Sequence, residues 1–128
     1  MSWQPVFLPS DVPKPVGPYS PAVRAGNLVF VSGQVPRDPR TGELAGTDFD
    51  SQARKVLANV REVLAAAGAS LDDVVSVIVY LTNVDDWARF NEIYQTTFRP
   101  PYPSRTAVGV SLRGILVEVS AIAYKPGG

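Results

Sequence analysis

Apolar positions recur along this chain with two different periods, and the change of period marks its elements. Ala22-Val23-Arg24-Ala25 and Leu28-Val29-Phe30-Val31-Ser32-Gly33 are short apolar runs separated by Gly26-Asn27. Gly-Asn between two such runs predicts a tight turn joining antiparallel strands. From Phe49 to Ala67 the spacing widens, with Ala53, Val56, Leu57, Val60, Leu64 and Ala67 on one helical face. Thr47 or Asp48 can cap that helix, Asp50 suits the positive end of its dipole, and Gly68 stops it.

Val74 to Leu81 is rich in β-branched residues and fits a strand buried on both faces. Asn83 or Asp85 then caps a second helix over Asp86–Phe98, with Trp87, Phe90, Tyr94 and Phe98 as its apolar face and Asn91 on or near that stripe. Pro100, Pro101 and Pro103 end it. Thr106–Val110 and Ile115–Tyr124 read as closing strands. The first twenty residues hold five prolines and read as an extended arm or loop. The order β-β-α-β-α-β-β predicts one α+β domain over 1–128, two helices packed on one face of a mixed sheet.

Composition narrows the chemistry. The chain has no cysteine and no histidine. That excludes disulfides, thiol nucleophiles, Cys/His zinc sites and a histidine base. Catalysis would have to use carboxylates, Arg, Lys, Tyr, Ser, Thr or water. Twelve basic residues balance twelve acidic ones, so no charge excess draws the chain to nucleic acid or lipid. No signal peptide or membrane span is read, and the expected location is the cytoplasm. Nucleotide-binding glycine motifs are absent, and Asp72-Asp73 and Asp85-Asp86 look like cap or loop pairs rather than metal ligands.

Arg105 follows Pro100-Pro101-Tyr102-Pro103-Ser104, a stiff approach that suits a guanidinium fork holding a carboxylate. By spacing alone, a strand-edge arginine or a structural ion pair is the commoner occupant of such a position. Glu118 sits in Leu116-Val117-Glu118-Val119-Ser120-Ala121-Ile122, where alternation puts it on a half-polar face with Leu116, Ser120 and Ile122. By sequence alone, a solvated face is the commoner explanation of such a residue. Tyr19 could donate a phenolic hydrogen bond or pack its loop. Asn91 could serve a ligand or its own backbone. Ser32-Gly33 permits close approach of a ligand to the backbone, or marks a plain turn.

In order along the chain, a set of segments resembles the Rid (reactive intermediate deaminase, YjgF-like) family. They are Gly17-Pro18-Tyr19-Ser20, Gly26-Asn27-Leu28-Val29-Phe30-Val31-Ser32-Gly33-Gln34-Val35-Pro36, Thr41-Gly42-Glu43-Leu44, Gln52 with Leu57-Ala58-Asn59-Val60, Leu64–Ser70, Asp73-Val74-Val75, Asn91-Glu92-Ile93-Tyr94, Pro103-Ser104-Arg105-Thr106 and Val117-Glu118-Val119 with Ala121-Ile122-Ala123. The resemblance implies a chorismate-mutase-like fold, a homotrimer with sites between subunits, and no cofactor or metal. It implies hydrolysis of 2-imino acids such as 2-iminopropanoate and 2-iminobutanoate to 2-keto acids and ammonia. Arg105 would grip the substrate carboxylate and Glu118 hold the attacking water, while Tyr19, Ser32, Gly33, Asn91 and Ala107 line the pocket. Pro21 in place of glutamine, Ser120 in place of an acid, a shorter 105–118 segment and the Leu112-Arg113-Gly114 turn depart from the pattern and bear on substrate range. A non-catalytic keto-acid-binding trimer and an RNA-acting protein are the competing readings. Neutral charge and the missing histidine count against the last.

Overall fold

A computed structural model of the chain describes residues 1–127. Strands β1 (Gln4–Val6), β2 (Ala22–Ala25) and β3 (Leu28–Gln34) precede helix α1 (Phe49–Ala66). Strand β4 (Val74–Leu81), helix α2 (Trp87–Thr97) and strands β5 (Ser104–Gly109) and β6 (Val117–Tyr124) complete it. The strands form one mixed sheet in the order β1-β2-β3-β6-β4-β5. Only β4 and β5 run parallel, because α2 carries the chain back between them. This is the α+β architecture expected from the sequence.

The first hairpin turn and the first helix cap act as predicted, but neither Asn83 nor Asp85 caps α2. Asn83 Oδ1 accepts from Asp85 N–H at 3.0 Å and caps the short 3-10 turn Val84–Asp86, and α2 starts at Trp87 with no side-chain cap. Gly26 turns the β2–β3 hairpin at φ +59°. The Asp48 side chain accepts from Ser51 N–H at 2.9 Å. Three boundaries differ from the sequence reading. Gln4–Val6 forms an edge strand on β2 within the proline-rich arm; the edge accommodates Pro5, which has no N–H to give. Strand β5 begins at Ser104, two residues early, through its register with β4. Strand β6 begins at Val117, because Leu116 N–H donates instead to Gln52 Oε1 at 2.8 Å.

Alternation decides where the core lies. Val29 and Val31, Val77, Val79 and Leu81, and Val117, Val119, Ala121 and Ala123 are buried against both helices. From α2 the core takes Phe90, Ile93 and Tyr94; Trp87, expected on that face, stays 41% exposed, and Ile93, which the apolar spacing passed over, is buried. From α1 it takes Val63 and the polar Gln52 and Asn59, which the apolar spacing passed over. Asn59 donates to the Val35 and Arg37 carbonyls and anchors the loop after β3.

The other face of the sheet has no helix on it. Leu28, Phe30, Ile78, Val108 and Tyr124 lie exposed there, so β4 is not covered on both faces within one chain. Exposed apolar side chains gathered on one sheet face, with Ser76, Thr106, Glu118 and Ser120 between them, are of the kind that can support association.

Gln52 is 2% exposed and also donates to the Gly46 carbonyl at 2.9 Å. Gln52→Leu leaves two backbone groups unpaired and is expected to cost about 2 kcal/mol or more. A urea midpoint equal to wild type would contradict this.

Candidate functional site

The structure gathers the predicted residues into two groups. The first lies on the helix-free face. Glu118 on β6 is in register with Tyr80 on β4, and both alternate away from the core positions. Strand β3 carries an irregularity between Val31 and Gln34, directly beside it. A methyl group at Gly33 would overlap Glu118 Oε2 and come within 3.0 Å of its carboxyl carbon, so glycine leaves room for the carboxylate. Ser32 Oγ donates to the Ser20 carbonyl at 2.7 Å, and Ser32 N–H to the Pro21 carbonyl at 3.0 Å. These bonds tie the Tyr19-Ser20-Pro21 segment to the Glu118 side. Tyr19 is 58% exposed, on the wall of a cleft of about 630 Å³ that the arm forms with Phe7, Leu8 and Val12. The Glu118 carboxylate accepts no hydrogen bond and forms no ion pair among the described residues. Desolvation by burial raises its pKa above that of an ordinary glutamate.

The second group lies on the helix side, at the sheet edge. Arg105 on β5 is in register with Val77, a core position, and Ala107 with Val79. Arg105 Nη2 donates to Asn91 Oδ1 at 2.7 Å, across from α2. Its guanidinium carbon stands 4.9 Å from the centroid of the Tyr94 ring. Half-buried, it forms no ion pair among the described residues, whereas Arg40, Arg89 and Arg99 each pair with aspartate. Beside it lies a cavity of about 310 Å³ lined by Asn91, Tyr94, Gln95, Tyr102, Pro103 and Arg105. A half-buried cation with donors to spare beside an open cavity has the chemistry to accept an anion.

The two groups do not meet within one chain. Val77 and Tyr80 are three positions apart on β4, so the residues in register with them point to opposite faces. Arg105 and Glu118 also flank β4 from either side, which places their Cα atoms on the order of 14 Å apart. One substrate cannot touch both side chains of a single copy.

This split site is carried by a chain with clear relatives. The profile of the family described as Endoribonuclease L-PSP matches residues 9–125. A RutC family protein of Pyrococcus horikoshii is 48% identical over 94% of this chain and 97% of its own length. The chain belongs to the YjgF/RutC/Rid family. A 2-iminobutanoate/2-iminopropanoate deaminase of Dermatophagoides farinae is 37% identical over 86% of this chain and 88% of its own. The crystal structure of RidA from an Antarctic Psychrobacter is 42% identical, with a TM-score of 0.86 over 94% of this chain and 98% of that one. In this Rid protein, sequence reasoning missed the surroundings of Arg105. Tyr94 passed for a plain core residue, and Gln95 and Tyr102 drew no notice. Their only signal was proximity to Asn91 along α2 and to the proline run.

The raised pKa of Glu118 has a thermodynamic consequence. Its ionisation disfavours the folded state above the folded-state pKa and has no effect below the unfolded value, about 4.3. In a dissociated chain, Glu118→Gln is therefore expected to raise Tm at pH 7, with the gain vanishing as pH falls below about 4.3. A lower Tm for the variant at neutral pH would contradict the burial account.

Proposed function

We propose that this protein is a 2-imino-acid deaminase whose sites form between copies of the chain, in a homotrimer. One copy supplies Arg105 with Asn91 and Ala107. The neighbour supplies Glu118 with Gly33, Ser32 and Tyr19. The observation that carries the reading is the pair of uncompensated charges, a half-buried guanidinium and a desolvated carboxylate, held on opposite faces of one sheet. The apolar helix-free face supports an association that would bring them together. The named deaminase among the relatives supports the chemistry.

The chemistry suits these groups. Arg105 binds the substrate carboxylate through two parallel N–H···O bonds and fixes the imine carbon over the water. Glu118, a stronger base for its burial, takes a proton from that water as its oxygen bonds to C2. The C=N π electrons move to nitrogen, which takes up the proton held by Glu118. The hydroxyl of the tetrahedral carbinolamine then gives its proton through Glu118 to nitrogen as the C–N bond breaks, ammonia leaves and the C2 carbonyl forms. Water is the only co-reactant.

The test is release of keto acid and ammonia from imines generated in situ by an amino-acid oxidase, with semicarbazide trapping what is not hydrolysed. Wild type should suppress trapping. Arg105→Ala and Glu118→Ala should not. Arg105→Lys should lose about tenfold or more, because an ammonium cannot present a planar fork. Binding of 2-ketobutyrate by a wild type inert on several imines would instead favour the non-catalytic ligand-binding reading.

A further inference from the structure

Tyr94 is placed where a plain core tyrosine has no need to be. It is 4% exposed, yet its hydroxyl finds no hydrogen-bond partner among the described residues. Such a group costs the fold stability that a phenylalanine in the same space would not. One face of its ring stacks on Phe98, with centroids 4.5 Å apart and planes inclined at 27°. The Arg105 guanidinium also lies over the ring, its carbon 4.9 Å from the centroid. Phe90 and Phe49 continue the stack toward α1, at 5.8 and 6.4 Å. The ring is therefore fixed from behind by a row of aromatic side chains reaching from one helix to the other.

A guanidinium on a long side chain has many rotamers, and a carboxylate clamp works only when the fork already faces its ligand. Two contacts restrict Arg105: Asn91 Oδ1 takes one N–H of Nη2, and the Tyr94 ring bears on the plane of the group. Neither neutralises the charge, so the remaining donors stay available.

We propose that Tyr94 is the positioning residue for Arg105, a rigid aromatic platform that holds the fork in the orientation a carboxylate needs. Its ring lines the same cavity, and its role there is to act through the arginine. The carboxylate rests on the deaminase reading above; the orientation of Arg105 does not.

The experiment compares Tyr94→Leu and Tyr94→Phe with wild type in two measurements on the full chain. The first is the heteronuclear NOE of the Arg105 Nε–Hε group, assigned by its disappearance in Arg105→Lys. The second is KM and kcat for an imino acid, repeated in an Arg105→Lys background, which keeps measurable turnover. The leucine variant should lower the NOE and raise KM roughly 2- to 30-fold, the range of a cation–π contact, with kcat little changed. The phenylalanine variant should restore both, with Tm equal to or above wild type, since the unpartnered hydroxyl is gone. In the Arg105→Lys background, which has no fork to orient, Tyr94→Leu should raise KM less than it does in wild type. An Arg105 NOE as high in Tyr94→Leu as in wild type would overturn the proposal. So would a KM penalty as large in the Arg105→Lys background as in wild type, which a merely structural role produces. If wild type hydrolyses no imine, the deaminase reading fails, and the NOE alone still decides the role of Tyr94.

Discussion

Side chains on a β-strand point alternately to its two faces, and the functional account of this chain depends on that constraint. Arg105 shares its register with Val77, and Glu118 with Tyr80, an odd number of positions away. No rotamer change brings the two side chains to one face. A one-residue slip of β5 or β6 would turn the core residues Val117, Val119 and Ala121 outward, or bring Thr106 and Val108 in. The burial that fixes the core therefore also fixes the separation of the two charges.

Each face equips its group differently. On the helix side, α2 brings Asn91 and Tyr94 down onto Arg105, and the aromatic row behind Tyr94 makes the support stiff. On the open side, the irregularity in β3 puts Gly33 beside Glu118, and hydrogen bonds from Ser32 hold the Tyr19 segment near it. Burial leaves Glu118 a better base than an exposed glutamate, and within one chain Arg105 is too distant to reverse that. In an assembly that brought Arg105 of a second copy beside it, the guanidinium would oppose that rise.

Much of this fold was legible in the sequence, because its signals are local. Period 2 at Leu28–Val31, period 3.6 at Ala53–Leu64, Gly26-Asn27 and Asp48 each act within a few residues. The strand in the arm was not legible, because Gln4–Val6 pairs only through its partner β2. Leu116 was misread as strand because its N–H goes to Gln52, a residue 64 positions away. At the candidate site, residue types and family likeness singled out Arg105, Glu118, Asn91 and Gly33. The two-faced arrangement needed the register of three strands, and Tyr94 needed its ring seen beneath a guanidinium. Both are relations between distant parts of the chain, which periodicity does not encode.

The central claim is that Arg105 of one copy and Glu118 of another serve one substrate. Coexpressing Arg105→Ala with Glu118→Ala tests it most directly. Each variant alone should be inert. In a cyclic trimer of mixed composition one intact site of three is restored, so random assembly should return about a quarter of wild-type imine hydrolysis. Mixed trimers verified by native mass spectrometry but no more active than either variant alone would contradict it.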